Sequence, residues 1–297
     1  PPGIFREYDI RGIYGQTLNE EMAYVIGRAF AAKAAAFGPK IAVCRDGRLS
    51  SPALSSALIQ GLVDSGITVV DIGTGPTPML YYAAYTMGMS GGVMVTGSHN
   101  PPSHNGFKFV LGGKAFYGED IQLLRMTAEN GAFKDGKGYT VSKDVRESYT
   151  DVLLKAYDSA HPLAVAWDAG NGAAGEIMAR LCQRLPGQHI ALNAAIDGTF
   201  PAHHPDPSVL ENLAQVSATV RSRKLDCGIA FDGDGDRIGV VDEKGEVLWG
   251  DQLLALYAAE VLREKPGATI IADVKASQAL FDEVERLGGN PLMWKSG

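Results

Sequence analysis

The sequence predicts an α/β protein made of successive similar domains, each built on a mainly parallel mixed sheet, with the third domain incomplete. Three observations predict it. Short β-branched runs alternate with helical patterns along most of the chain, which is the signature of strands covered on both faces. The cycle restarts after a polar stretch at Asn130–Lys143 and again near residue 248. The last round has only two clear strands, too few to cover two helices and form a core of its own. These restarts divide the chain into 1–143, 144–247 and 248–297. At about 150 residues per domain, 297 residues suggest about two domains, and it is the two-strand tail that argues for a third, incomplete one.

In order, Lys40–Arg45 is an apolar run with β-branched residues and predicts a strand. Ser50 or Ser51 is placed to cap a helix carried by Leu54, Leu58, Leu62 and Val63. A strand at Ile67–Ile72, a turn at Gly73–Thr77, a helix at Pro78–Met87 and a strand at Gly92–Thr96 follow. The second round reads as helix Val145–Tyr157, strand Ala164–Trp167, helix Glu176–Arg184 and strand Gln188–Asn193. After a proline-rich loop come helix Val209–Arg221 and strands Cys227–Phe231 and Ile238–Val241. The third round is helix Asp251–Arg263, strand Thr269–Ala272, helix Ser277–Arg286 and strand Pro291–Trp294.

Charge narrows the function. The net charge is −7, from 27 basic and 34 acidic residues, and no basic arm or stripe is present, so nucleic acid is not an expected partner. Cys44, Cys182 and Cys227 are far apart and lie in or near apolar runs, which suits free thiols in a reducing cytoplasm. The first residues have neither the basic end nor the apolar run of a signal peptide. Ile72–Phe107 contains no Asp, Glu, Lys or Arg, yet glycines and prolines break it into pieces far shorter than the ~20 apolar residues of a membrane span. It predicts buried α/β core.

Asp232-Gly233-Asp234-Gly235-Asp236-Arg237 directly follows the predicted strand end. Glycines permit a tight loop in which three carboxylates converge, and converging carboxylates with only oxygen to offer suit Mg²⁺ or Ca²⁺. A solvated acidic turn is the plainer alternative. An EF-hand fails because Arg237 stands at the sixth position, where the loop needs glycine. An Asp-nucleophile phosphatase of the haloacid-dehalogenase type, with Asp232 as nucleophile, fits better but leaves a second loop unexplained. That loop is Thr96-Gly97-Ser98-His99-Asn100-Pro101-Pro102, a hydroxyl at a strand's carboxyl end, where α/β proteins place ligands. It lacks the G-x-S-x-G of hydrolases, and an ordinary turn would use the same residue types. Lys108, in Asn105-Gly106-Phe107-Lys108, brings a cation within loop reach, or is a surface lysine. Gly170–Gly175 matches the G-x-G-x-x-G dinucleotide pattern between a strand and a helix, with Asp197 as the nearest acidic partner, but a tight turn needs the same glycines. His203 and His204 are adjacent, so on an extended chain they point to opposite faces, and a structured loop explains them better than a metal.

Taken together these loops resemble the α-D-phosphohexomutase superfamily, most closely its bacterial phosphomannomutase/phosphoglucomutase branch. The matching stretches are Phe5–Gly12, Gly47–Ser50, Thr96–Pro102 with Asn105–Lys108, Gly170–Gly172, His203–Pro207, Phe231–Arg237 and Asp273–Lys275, in family order along the chain. The resemblance implies a phosphotransferase that interconverts hexose 6-phosphate and hexose 1-phosphate, of mannose or glucose, through a phosphoserine and a bisphosphate intermediate. By that resemblance Ser98 carries the phosphoryl group and joins Asp232, Asp234 and Asp236 around Mg²⁺. Arg237 steadies the phosphoserine, and Lys108 and His99 manage the proton of the attacking hydroxyl. Tyr8, Arg11 and Lys275 line the substrate cleft, and the GNG stretch is a structural turn. A cytoplasmic monomer that acts on hexose monophosphates and bisphosphates, without membrane or nucleic acid, is the implied setting. The family has four domains, so its sugar-recognition and phosphate-gripping loops are expected beyond Gly297. A chain ending there is expected to bind Mg²⁺ with negligible turnover, and a catalytically incomplete Mg²⁺ and sugar-phosphate module is the corresponding non-enzyme reading.

Overall fold

The computed structural model describes residues 1–131, 133–159 and 161–296, so Gly297 lies outside the described residues. In the first sheet, strands β1 (Ile10–Ile13), β2 (Lys40–Arg45), β3 (Thr68–Thr74), β4 (Gly91–Val95), β5 (His104–Leu111), β6 (Lys114–Ala115) and β7 (Tyr139–Ser142) accompany helices α1 (Glu20–Ala34), α2 (Ser51–Val63), α3 (Thr77–Thr86) and α4 (Glu119–Asn130). The order is β1-β5-β4-β2-β3-β7, with β6 on β5. Pairing is parallel from β4 through β7 and antiparallel from β4 to β5 and β1. Alternation along β2 explains the layers: Ile41 and Val43 join the core beneath α1 and α2, while Ala42 and Cys44 pack against Met79 and Leu80 of α3.

The second sheet, order β12-β11-β10-β8-β9, is built from β8 (Leu163–Asp168), β9 (Gly187–Leu192), β10 (Cys227–Phe231), β11 (Ile238–Val241) and β12 (Val247–Leu248), with helices α5 (Arg146–Lys155), α6 (Gly175–Arg184) and α7 (Ala214–Arg223). The β9-β8-β10 half is parallel and the β11-β12 edge antiparallel. Val145 and Tyr149, at the start of α5, share one buried cluster with Met79 and Leu80 of α3 and with Ile177 of α6. This hydrophobic seam joins the two sheets. The third module is a parallel pair, β13 (Thr269–Asp273) and β14 (Asn290–Trp294), with α8 (Gly250–Glu264) and α9 (Gln278–Arg286) packed on it through Ala258, Leu262, Leu280, Phe281 and Val284. Among the described residues no helix is long and apolar enough to cross a membrane.

Three local expectations are corrected. Asn105–Lys108 is not a loop but the start of β5, so Lys108 stands on a strand paired opposite Met94. The helix expected at Val209–Arg221 begins with a 3-10 turn at Leu210–Leu213, because Asp206 caps Ser208 and the carbonyl of Asp206 holds Asn212. Neither Ser50 nor Ser51 caps α2. Both hydroxyls accept from buried Asn105, and Ser51 also donates to Asp46. The polar stretch at Asn130–Lys143 contains β7, an exposed edge strand paired with β3.

Candidate active site and metal centre

The carboxyl ends of β4 and β10 face each other, one from each sheet, and bring the serine loop onto the acidic loop. Ser98 Oγ donates to Asp232 Oδ2 at 2.8 Å, and both residues are fully buried. Ser98 sits at φ 50°, in the left-handed region that a side chain rarely adopts. Such a conformation persists only where its surroundings over-determine it. Here they do. Arg48 Nη2 donates to the carbonyls of Ser98 and Asn100, and Nη1 to those of Pro101 and His104. Arg48 Nε donates to Asp46, whose oxygens also accept from Thr96 Oγ1, Gly97 N and Ser51 Oγ. Gly97 lies so close that a Cβ there would fall 2.5 Å from the Arg48 guanidinium carbon. Sequence reasoning placed Arg48 in a family-like stretch but gave it no role. Arg48 lies in the polar loop Asp46–Ser50 between β2 and α2, where no local pattern marks it, although a buried guanidinium demands acceptors all round.

Asp232 Oδ1 accepts the backbone N–H groups of Asp236 and Arg237, both at 3.1 Å, which curls the loop on itself. Asp234 is anchored across the seam: Thr77 N donates to its carbonyl at 2.8 Å, and Thr77 Oγ1 donates to Oδ2. Lys108 Nζ donates to Asp234 Oδ2 at 2.7 Å and Asp236 Oδ2 at 2.6 Å. One oxygen of each of the three aspartates lies within 4.8 Å of the others. Burial, and next the charges of Asp234 and Asp236, push the Asp232 carboxyl up to about 8. Burial opposes ionisation of Asp234, but Lys108 and Thr77 outweigh it and hold that carboxyl below its usual range. Burial works against the charge of Lys108 too, yet the two aspartates keep its ammonium above the ordinary value.

This donor set fits a hard divalent cation. Asp234 Oδ1 is buried and has no hydrogen-bond partner among the described residues, an arrangement that costs stability unless something positive meets it. The triad offers only oxygen, the ligand type of Mg²⁺ and Ca²⁺.

Through Asp236 the triad borders a cleft of about 1060 Å³. His99, Arg237, Lys108 and Asp236 line it, and so do Tyr8, Arg11 and Tyr81. His99 Nδ1 is 3.2 Å from Ser98 Oγ, and burial, followed by the charges of Arg237 and Arg11, lowers its basicity. Arg11 is buried and paired with Asp9 at 2.6 Å, whereas Tyr8 is half exposed and stacks near Tyr117. Lys275 stands on the exposed loop after β13 and does not line this cleft.

The dinucleotide-like turn has its amides engaged by protein. Ala173 N donates to Gly233 O and Asn171 N to Asn193 O, so the turn buttresses the acidic loop. His203 is likewise structural: Nε2 meets Asp168 Oδ2 at 2.9 Å and Nδ1 meets the His204 carbonyl at 3.0 Å.

Comparison with known proteins agrees with this layout. Sequence models described as phosphoglucomutase/phosphomannomutase, alpha/beta/alpha domains I, II and III, match residues 2–135, 147–245 and 249–297. The chain is 47% identical, over its whole length, to a phosphomannomutase/phosphoglucomutase of Pseudomonas aeruginosa, and spans 64% of that relative's length. It is 45% identical to a phosphoglucomutase of Neisseria gonorrhoeae, covering 99% of this chain and 65% of the relative. A crystal structure of a phosphoglucomutase/phosphomannomutase family protein from Burkholderia thailandensis superposes with a TM-score of 0.95 at 44% identity, covering 100% of this chain and 67% of that one.

Proposed function

The chain belongs to the phosphoglucomutase/phosphomannomutase family, and from that premise we propose that it serves a mutase that interconverts hexose 6-phosphate and hexose 1-phosphate, of glucose or mannose, with Ser98 as phosphoryl carrier. The observation that carries this reading is the buried Ser98 hydroxyl, strained and fixed, 2.8 Å from an aspartate of the neighbouring sheet. Phosphoryl transfer asks the protein for alignment and positive charge more than for covalent chemistry. Ser98 lies directly behind His99, which lines a cleft large enough for a sugar bisphosphate. The P–O bond to Ser98 Oγ breaks as a bond to a sugar hydroxyl forms. His99, beside that oxygen and facing the cleft, is placed to take and return the hydroxyl proton. Lys108 and Arg237 line the same cleft and supply cationic charge to the transferring group, while Tyr8 and Arg11 hold the substrate's outer part. Lys275 reaches the cleft in this reading only by movement of the third module.

Asp232, Asp234, Asp236 and Ser98 would hold Mg²⁺, which when bound offsets the charge that a phosphoserine of about −2 adds beside three carboxylates. The domain limits 1–143, 144–247 and 248–297, a cytoplasmic location and a monomeric state belong to the same proposal. The alternative in which Asp232 is the nucleophile fares worse. Its Oδ1 already accepts two backbone N–H groups and its Oδ2 accepts the serine hydroxyl, so both oxygens are occupied.

Incubation with glucose 1,6-bisphosphate followed by intact and peptide mass spectrometry tests the proposal. One phosphate is expected on the peptide carrying Ser98, stable to hydroxylamine and absent from Ser98→Ala. A hydroxylamine-labile phosphate on the Asp232 peptide would give the chemistry to the aspartate instead.

A further inference from the structure

The carboxylates of the acidic loop share one pattern: each has an oxygen already committed to the protein. Asp232 Oδ1 accepts two backbone N–H groups. Asp234 Oδ2 accepts from both Thr77 Oγ1 and Lys108 Nζ, and Asp236 Oδ2 accepts from Lys108 at 2.6 Å. What remains for a cation is Asp234 Oδ1, buried and without a partner among the described residues, and Asp232 Oδ2, which meets only the hydroxyl of Ser98, itself a proposed ligand. Mg²⁺ demands near-octahedral geometry with short single contacts, whereas Ca²⁺ readily accepts bidentate carboxylates and higher coordination. Selectivity between them follows from ligand number and freedom.

We propose that Thr77 and Lys108 determine metal specificity, by occupying the outer oxygens of Asp234 and Asp236 so that each aspartate can bind only through a single oxygen. Thr77 is the more telling of the two. It lies on α3 of the first sheet, 157 residues from Asp234, is fully buried, and meets Asp234 through both its backbone N–H and its hydroxyl. The backbone contact fixes where the loop lies, and the hydroxyl contact fixes how the carboxylate is turned. Gly235 follows with Pro76 against it, where a Cβ would come 3.0 Å from the proline Cβ, so the loop cannot slide to release the pair. Thr77 is thus a positioning residue: it acts on the cation through Asp234.

This inference rests on the metal centre proposed above, and calorimetric titration of the chain with Mg²⁺ alone and Ca²⁺ alone separates the two. Wild-type protein is expected to prefer Mg²⁺. Thr77→Val, which keeps the shape and removes the hydroxyl, leaves Asp234 Oδ2 held by Lys108 alone and the carboxylate freer to turn toward the ion. The ratio of the Ca²⁺ and Mg²⁺ dissociation constants is expected to move about tenfold toward Ca²⁺, the lower range for loss of an outer-shell partner, and Thr77→Ser is expected to restore it. A general loosening of the loop would weaken both ions together and leave the ratio in place. Lys108→Met is the second, independent variant, on a strand paired at both sides, and frees Asp236 Oδ2 with the same expected direction. A ratio unmoved in both variants overturns the inference while leaving the metal centre standing. Wild-type protein that binds neither ion removes the centre and the inference with it.

Discussion

Arg48 shows how much a single buried side chain is asked to do. Its guanidinium makes four hydrogen bonds to the carbonyls of the serine loop and one to Asp46, and Phe200 of the second sheet's loops lies over it at 5.2 Å. Removing it strands those acceptors in a dry interior, and breaking a buried charged pair by deleting one partner typically costs about 3–5 kcal/mol. Arg48→Met is therefore expected to lower the urea-unfolding free energy by about that much, and Arg48→Lys to recover only part, because an ammonium has three donors where five are used. A loss below about 1 kcal/mol for Arg48→Met would mean that the loop holds Ser98 without it. Legibility differs between these neighbours for a physical reason. Ser98 and the three aspartates announce themselves through residue types that local structure does not need in that order. Arg48 is meaningful only through carbonyls 50 to 56 positions away, which no local pattern encodes.

At the scale of elements, the strands and helices with strong periodicity were readable nearly residue for residue, as Lys40–Arg45 and Cys227–Phe231 show. β5 was not, because its first residues, His104-Asn105-Gly106, carry turn chemistry, and only pairing with β1 and β4 makes them a strand. Tertiary context overrode propensity there. The loop at Pro201–Pro207 was legible as structured but not in its anchor, the His203–Asp168 pair. That pair gives a pH test. The Asp168 hydrogen bond, acting against burial, raises the His203 value above its ordinary 6.5. The proton is then held more tightly in the folded protein, so the pair's stabilisation is fully present below the unfolded value of about 6.5 and fades as pH rises through the folded one. The gap in urea midpoint between wild type and His203→Gln is expected to be larger at about pH 6 than at about pH 9. A gap that grows with pH would show that His203 is anchored as the neutral ring.

Across the whole molecule, the site exists only where the two sheets meet, and at Gly233 the contact is backbone against backbone. A Cβ on Gly233 would fall 2.3 Å from the Ser98 carbonyl oxygen, closer than real contacts come, and the atom it meets is main chain that Arg48 already holds in place. No side chain can turn aside to make room. Gly233→Ala must therefore move the acidic loop away from the serine loop, lengthening the Ser98–Asp232 contact and pulling Asp234 from Thr77. Each sheet keeps its own core, since the clusters around Phe30 and Leu58 and around Val216 and Val220 lie away from the contact. The expected result is a modest stability loss of about 1–3 kcal/mol, as for other overpacked positions, together with a fall of tenfold or more in both Mg²⁺ affinity and phosphorylation of Ser98, on the order expected when outer-shell geometry is lost. Gly250→Ala is the control, because a Cβ there meets nothing within 4 Å. Urea unfolding, calorimetry and mass spectrometry on the two variants read these effects separately. If Gly233→Ala bound Mg²⁺ and took up phosphate as Gly250→Ala does, the close backbone approach would be a packing detail and not the means by which one sheet lends its aspartates to the other's serine.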